Sequence, residues 1–296
     1  MLKRSIYITT PQKLRLKNNQ LILTSMETGE INSIPIEDLG FVILEHPQIS
    51  LSLPMLSALS HNNVAVIFCD EQHMPDAMLT SLSNNNLQNV VFKNQINASL
   101  PLKKRLWKQT IERKILNQSR LLKKLEMPYE DIFLLSKDVK SDDITNREGQ
   151  AARLYWKRLM GDHFIRDRFG DYPNALLNYG YILLRAAMAR SLIGSGLLAT
   201  LGIHHHNKYN AFCLADDVME PYRPYVDELV YEICQKFKPI DELKKEHKME
   251  LLQILTTDVL IGKNKRPLMV ALSQTTASLT ECYSEKSKEI IYPNFK

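Results

Sequence analysis

The spacing of apolar residues changes in the stretch Leu102–Pro128, LKKRLWKQTIERKILNQSRLLKKLEMP. This change indicates the fold class. The apolar residues of the stretch fall near one face of a long helix that must end before Pro128, and the set comprises Leu102, Leu106, Ile111, Ile115, Leu122 and Leu125. Upstream of this stretch, short apolar runs alternate with polar residues instead. The sequence therefore predicts an α+β chain whose helical part begins near residue 96.

The residues before this stretch have the pattern of β-strands. Short runs rich in Ile, Val, Leu, Phe and Tyr are separated by Asn, Gly or Pro: SIYIT, KLRLKNNQLILTS, INSIPIEDLGFVILE and NVAVIFCD. The Asn18-Asn19 pair lies between two alternating runs and predicts a hairpin, since asparagine tolerates the positive φ of a tight turn. The segment MLSALSHN can form one short helix. Residues 1–95 are therefore predicted to form a small β-rich N-terminal domain.

The remainder of the chain is predicted to be helical. Residues 80–101, TSLSNNNLQNVVFKNQINASLP, are polar and rich in Asn and Ser, which is typical of a connecting segment. Beyond the first long helix, helical spacing predicts further helices over residues 149–161, 174–198, 226–237, 243–260 and 267–284. Residues 96–296 are therefore predicted to form a larger, all-α catalytic domain.

Composition excludes several classes of protein. With 296 residues, 44% hydrophobic and 24% charged, the chain can bury a sizeable core and is not disordered. Its four cysteines form no CxxC pair, which argues against a disulfide framework or a thiolate zinc site. We expect a cytoplasmic protein without a membrane segment, since no apolar run approaches the roughly 20 residues needed to cross a bilayer. The net charge of +5 is compatible with a polyanionic partner but does not identify one.

One stretch has the residue types of a metal site. In GIHHHNKYNAFCLADDVMEPYRPYVD, residues 202–227, three consecutive histidines precede an acidic cluster of Asp216, Asp217 and Glu220. Imidazole and carboxylate groups together suit Mn²⁺, Mg²⁺ with water, or Zn²⁺. The same residues could equally form a solvated loop and a helix cap. A further candidate ligand is Glu148, at the start of a predicted helix in NREGQAARLYWKRL. Its alternative role is to complement the helix dipole without binding a metal.

Three segments in this order resemble a known family. The segments are NREGQAAR, then NALLNYGYILLRAAMARSLIGSGL, then the histidine stretch. Together they are similar to the Cas1 family, the CRISPR-associated integrases and endonucleases of spacer acquisition, in its type II branch. The resemblance spans essentially the whole chain. It implies a catalytic site that binds Mg²⁺ or Mn²⁺ through Glu148, His205 and Glu220, with Asp217 as a possible further ligand. The choice of His205 over His204 follows the family register.

The resemblance also implies an activity and partners. The expected reaction inserts short foreign DNA fragments into a CRISPR array, through attack of a 3′-hydroxyl on phosphodiesters of the repeat. The expected partners are double-stranded DNA, as prespacer and as repeat, and a second copy of the chain bound through the β-rich domain. Two such homodimers would be bridged by a dimer of the small partner Cas2. The RNA-guided effector nuclease of type II systems is a further partner that the resemblance allows.

Basic residues concentrate in the central part of the chain, around Glu148. Phosphate contacts of this kind give affinity for DNA without reading its sequence, and the candidates are Arg147, Arg153, Lys157, Arg158 and Arg223. Each could equally belong to an ordinary solvated helix face. An alternative function is therefore a DNA-binding scaffold that positions duplex ends for another enzyme. The presence of Glu148, His205 and Glu220 together favours the enzyme.

Overall fold

The computed structural model describes residues 4–79, 85–237 and 243–295, and the chain divides into two compact units, Met1–Ser83 and Asn84–Lys296. The division falls among residues 80–84, outside the described residues, whereas the sequence placed the boundary after residue 95. The dimerisation and catalytic roles assigned to the two parts stay predictions. In the described part of the chain, no helix is long and apolar enough to span a bilayer.

Over residues 4–79, the strands form two four-stranded sheets, ordered β4-β3-β2-β6 and β1-β5-β7-β8, together with one helix. The hairpin predicted at Asn18-Asn19 is confirmed, because both residues have positive φ, 51° and 56°, between antiparallel β2 and β3. The elements are β1 Arg4–Ile8, β2 Gln12–Lys17, β3 Gln20–Ser25, β4 Ile31–Pro35, β5 Leu39–Leu44, β6 Ser50–Leu51, α1 Leu53–His61, β7 Ala65–Cys69 and β8 Pro75–Leu79.

The core of this unit lies around strand β5. All six residues of β5 are buried, because the strand is central and pairs in parallel with both β1 and β7. Leu14 and Leu21 of the hairpin and Met55 and Leu59 of α1 belong to the same apolar cluster. The alternation read in the sequence therefore predicts which face of the β2-β3 hairpin is buried.

The second unit is mostly helical, as predicted, and its described residues also form a small antiparallel sheet ordered β10-β9-β11. The fold class is thus α+β, with a strand-rich N-terminal part and a helical remainder. The elements are α2 Gln88–Ile96, α3 Leu100–Lys124, α4 Glu130–Lys137, α5 Arg147–Met160, α6 Asn174–Gly194, α7 Cys213–Met219, α8 Arg223–Lys236, α9 Lys245–Leu252, β9 Asp258–Ile261, β10 Asn264–Pro267, α10 Leu268–Tyr283 and β11 Pro293–Asn294.

The all-α prediction did not include the small sheet, and helices α4 and α7 were not predicted. Two further segments have a different secondary structure from the predicted one. The segment expected to be a connector contains helix α2, which buried Gln95 holds in place. The side-chain amide of Gln95 donates to the carbonyls of Leu198 and Leu201, and Gln95 Oε1 accepts from the Leu198 N–H. The helix expected over residues 243–260 ends at Leu252. The following residues form a helical turn and then β9, in which Val259 and Ile261 are buried on alternate positions and the backbone pairs with β10 and β11.

Helix α3 is the long helix of the opening stretch and lies at the centre of the second unit. Ser99 caps its N-terminus by accepting a hydrogen bond from the Leu102 N–H. Its predicted apolar stripe is buried from Leu102 to Leu122. The helix packs against α4, α5, α8 and the turn that joins α7 to α8. Polar residues on the inner side of α3 are consequently buried among these elements.

Candidate active site

Glu148 lies in the first turn of α5, and the local sequence fixes that turn. Asn146 caps the helix from a left-handed conformation, its side chain accepting from the Gly149 N–H at 3.0 Å. The carboxylate of Asp143 accepts from the N–H groups of Arg147 and Glu148. A Cβ at Gly149 would lie 2.6 Å from Asn146 Oδ1, so a larger residue here would have to displace the capping side chain. The contacts of Asn146 and Asp143 thus orient the turn that carries Glu148.

Glu220 is buried in a single helical turn, Glu220–Tyr222, between α7 and α8. The carbonyl of the next residue, Pro221, accepts from Asn117 Nδ2 at 2.8 Å. Asn117 also donates to the Pro293 carbonyl and accepts from the Phe295 N–H. No sequence pattern indicates this role for Asn117. The side chain ties the turn that carries Glu220 to helix α3 and to the segment around β11.

Lys114 of α3 joins the two glutamates. Its ammonium nitrogen lies 2.5 Å from Glu148 Oε1 and 2.6 Å from Glu220 Oε2. Attraction to Lys114 lowers the pKa of Glu148 against the opposing effect of burial. Burial alone would lower the pKa of Lys114, but the two carboxylates raise it above the usual value. The sequence did not single out Lys114, whereas the structure buries it between both glutamates.

His205 and Asp217 form the second half of the cluster. Asp217 is fully buried, and its carboxylate pairs with Nδ1 of His205 while also accepting from the N–H groups of His204 and His205. The hydrogen bond with Asp217 raises the pKa of His205, and the charges of Glu220 and Glu148 act in the same direction. Because Nδ1 is engaged by the carboxylate, Nε2 is the nitrogen left for a ligand. Asp217, considered as a possible ligand, is used here to orient His205.

The three consecutive histidines occupy different environments. His204 stacks on Trp107 with ring centroids 4.3 Å apart and planes 4° apart, and its Nδ1 lies 3.3 Å from Asp142. All three histidines are exposed, and the imidazole of His205 pairs with Asp217. A Cβ at Gly202 would lie 2.3 Å from the His205 carbonyl oxygen, so this turn requires glycine. The structure thus places the imidazole of His205, and not that of His204, against Asp217, because His204 contacts Asp217 through its backbone N–H.

Asp216 is not the helix cap or solvated neighbour that the sequence suggested. Its carboxylate accepts from the Arg185 guanidinium at 2.6 and 3.0 Å, and from Asn210 Nδ2 at 2.7 Å. It is 9% exposed. Burial of a carboxylate requires such compensation. Asp216 therefore fixes the loop after the histidines to helix α6.

A further buried carboxylate, that of Asp227, joins three helices of the site. Asp227 of α8 accepts hydrogen bonds from the hydroxyls of Tyr155 on α5 and Tyr181 on α6. Burial raises the pKa of Asp227 to about 6, against the opposing effect of these hydrogen bonds. The guanidinium of Arg223 lies 4.5 Å from the Tyr181 ring centroid, and its Nε is 3.0 Å from Glu220. Asp227, which the sequence did not single out, thus links the helices bearing Glu148 and Arg223.

The predicted DNA contacts fall into two groups. Arg147 and Arg158 form ion pairs with Asp138 and Asp131 of the α4 region, the second through both guanidinium nitrogens at 2.5 and 2.6 Å. Arg223 is engaged by Glu220 and Tyr181; burial alone would lower its pKa, but Glu220 and its other neighbours raise it. Arg153 and Lys157 are exposed on α5. A role in DNA binding stays a prediction for all five residues.

The donor set fits a divalent cation. Glu148, Glu220 and Nε2 of His205 are the oxygen and nitrogen ligands that Mn²⁺ accepts and that Mg²⁺ accepts with water. Glu220 Oε2 is buried and lies 2.6 Å from the Lys114 ammonium, so a positive charge already lies at this oxygen. Across residues 4–79, 85–237 and 243–295, no His, Cys, Asp or Glu cluster has the arrangement of a formed metal site. Lys114 lies between the carboxylates instead.

Comparisons with known proteins are consistent with this geometry. The chain matches the family described as CRISPR associated protein Cas1 over residues 6–251. It is 34% identical over 286 residues to the CRISPR-associated endonuclease Cas1 of Neisseria meningitidis serogroup C (strain 8013), an alignment that covers 96% of this chain and 93% of that protein.

Two solved structures have a similar fold. A casposase bound to integration product aligns with a TM-score of 0.81 and 20% identity, covering 98% of this chain and 92% of the casposase chain. A chain of a Cas6-RT-Cas1–Cas2 complex aligns with a TM-score of 0.71 and 21% identity, covering 97% of this chain and 35% of its own length. At these identities the likeness concerns the fold alone.

Proposed function

Since the chain belongs to the Cas1 family of CRISPR-associated proteins, we propose that it is a metal-dependent DNA integrase and endonuclease. Its reaction joins the 3′-hydroxyl of a short DNA fragment to a phosphodiester of a CRISPR repeat, with release of the repeat strand's own 3′-hydroxyl. The observation that best supports this proposal is the convergence of Glu148 and Glu220 on a single cation position, beside the oriented imidazole of His205.

The residues have separate tasks in this reaction. Glu148, Glu220 and Nε2 of His205 hold Mg²⁺ or Mn²⁺. When bound, the ion polarises the reacting phosphate and stabilises the negative charge that develops on its oxygens. Asp217 keeps His205 in the tautomer whose Nε2 carries a lone pair. Water in place of the attacking hydroxyl gives cleavage, so one site serves integration and endonuclease activity.

Double-stranded DNA and Cas2 are the partners we propose. One similar solved structure is a casposase with its integration product, and another is an assembly that includes Cas2. Arg153 and Lys157, exposed about one and a half and two and a half turns along α5 from Glu148, are our first candidates for phosphate contacts. Homodimers formed through the β-rich unit, and cooperation with the type II effector nuclease, belong to the same proposal.

A strand-transfer assay tests the proposal. Purified protein and Cas2 are incubated with an end-labelled duplex carrying free 3′-hydroxyls and a supercoiled plasmid bearing the repeat, in Mn²⁺, Mg²⁺ or EDTA. We expect metal-dependent joining that Glu148→Gln reduces at least a hundredfold, in line with loss of a metal ligand. Glu130→Gln is the matched control, because Glu130 also lies in the first turn of a helix but is exposed and outside the cluster.

The alternative is a scaffold that binds duplex ends without chemistry. DNA binding without joining in any metal, by wild type and both variants alike, would establish it and contradict the proposed function.

A further inference from the structure

We propose that Lys114 is an internal counter-ion that occupies the cation position between Glu148 and Glu220, and that a divalent cation binds by displacing its ammonium group. The inference rests on the proposed function, because it concerns the same metal site. It adds a residue that neither the sequence motifs nor the family register identified. It also predicts that removal of this lysine increases the affinity of the site for a divalent cation.

The ammonium nitrogen of Lys114 lies between two carboxylate oxygens, where a metal ion could bind. Glu148 Oε1 and Glu220 Oε2 lie 2.5 and 2.6 Å from Lys114 Nζ, so the two oxygens are no more than about 5 Å apart. Mg²⁺ takes oxygen ligands at roughly 2.1 Å, and Mn²⁺ favours similar oxygen donors. A metal ion could therefore bind the same two oxygens after each carboxylate moves by only a fraction of an ångström.

Burial favours a cation at this point. The side chains of Lys114 and Glu220 are 12% and 7% exposed, and that of Glu148 is 31% exposed. Two carboxylates that share such a site repel one another unless a positive charge lies between them. Arg223 lies 3.0 Å from the other oxygen of Glu220, and its charge and that of His205 also act on Glu148. The Lys114 ammonium contacts both carboxylates, so in the metal-free protein it offsets their repulsion.

The two cations exclude one another. An ammonium and a divalent ion held by the same pair of oxygens would lie within about 3 Å, where like charges in a poorly solvated site repel strongly. The lysine stem is flexible, so its ammonium can leave while helix α3 stays in place. Metal binding must therefore break both Lys114 ion pairs, and this cost weakens the apparent affinity of the wild-type site.

Mn²⁺ binding without DNA, followed by electron paramagnetic resonance of the free ion, tests this proposal. Lys114→Met should bind Mn²⁺ at least tenfold more tightly than wild type, and adding Glu148→Gln to this variant should remove the gain. Lys108→Met is the matched control, because Lys108 lies on the same helix but is partly exposed and paired with Glu112 at 3.5 Å. It should bind as wild type does.

The outcomes separate this inference from the proposed function. Equal or weaker binding by Lys114→Met, with wild type still binding, would overturn the counter-ion role and leave the metal site standing. Absence of Mn²⁺ binding in both proteins would overturn the counter-ion role and the metal site together.

A crystal structure of the wild-type protein at saturating Mn²⁺ gives a second measurement, which does not depend on the variant folding. The Lys114 nitrogen should then lie more than 4 Å from at least one of the two carboxylates. Retention of both ion pairs beside a bound ion would refute displacement.

Discussion

Replacement of Asp227 by asparagine should change how the stability of the second unit depends on pH. Burial raises the pKa of Asp227 to about 6 from an ordinary value of 3.8, so the folded protein favours the protonated carboxyl. This carboxyl therefore contributes stability that is complete below the unfolded pKa and is lost as the pH rises through about 6. The groups facing it are Tyr155, Tyr181, Arg223 and Arg166.

The pKa difference sets the size of the effect. A difference of about two pH units corresponds to roughly 3 kcal/mol of unfolding free energy in full, of which about 1 kcal/mol is lost between pH 5 and 7.5. Asparagine has the same shape but does not titrate. The free energy of unfolding of Asp227→Asn, minus that of wild type, should therefore rise by about 1 kcal/mol over this window.

Urea unfolding followed by tryptophan fluorescence measures this difference, because Trp107 and Trp156 both lie in the unit that contains Asp227. The contribution of His205, whose raised pKa also removes stability as the pH rises, is present in both proteins and cancels. Asp131→Asn is the control: a hydrogen bond with Arg158 lowers the pKa of Asp131, so it titrates below the window. A difference between Asp227→Asn and wild type that stays constant from pH 5 to 7.5 would refute the reasoning.

Three other substitutions have defined outcomes. Asn117→Ala leaves buried backbone groups without partners and should reduce the free energy of unfolding by about 2–4 kcal/mol. A loss below about 1 kcal/mol in urea unfolding would contradict the structural role of Asn117. Asp217→Asn should lower the pKa of His205 in an NMR titration, since the hydrogen bond between His205 and Asp217 is the largest cause of the raised pKa. An unchanged pKa of His205 would exclude this hydrogen bond as the cause. Gly149→Ala should destabilise the start of α5 by about 1 kcal/mol or more, because the added Cβ would meet the Asn146 cap. Unaltered thermal unfolding would show that the cap can move.

Features that depend on local spacing could be predicted from the sequence. The Asn18-Asn19 hairpin follows from turn chemistry, and helix α3 follows from the recurrence of its apolar residues. Helix α2 could not be predicted, because its stability comes from hydrogen bonds between Gln95 and residues about a hundred positions away. Residues 253–260 were predicted as helix, since a short apolar run does not distinguish a buried strand from a helix.

The site could be predicted only in part. Motif order pointed to Glu148, His205 and Glu220, and the structure brings the two glutamates together beside the imidazole. The role of Lys114 could not be predicted, because one lysine in a basic helix has no local signal that distinguishes burial from solvation. The role of Asp227 could not be predicted either, because its partners lie on two other helices and only the folded chain brings them together. Sequence motifs point to candidate ligands, whereas the residues that hold these side chains in place depend on tertiary contacts.

The most direct test of the central claim is the reverse reaction on a branched DNA that represents the product of one strand transfer. This substrate already contains the joined fragment, so the assay isolates the chemistry of the cluster from capture of a new fragment. We predict that wild-type protein resolves the branch in Mn²⁺ but not in EDTA, and that Glu148→Gln and Glu220→Gln each slow the reaction at least a hundredfold. Resolution at an unchanged rate by either variant, or in EDTA, would contradict a metal-dependent integrase built on Glu148 and Glu220.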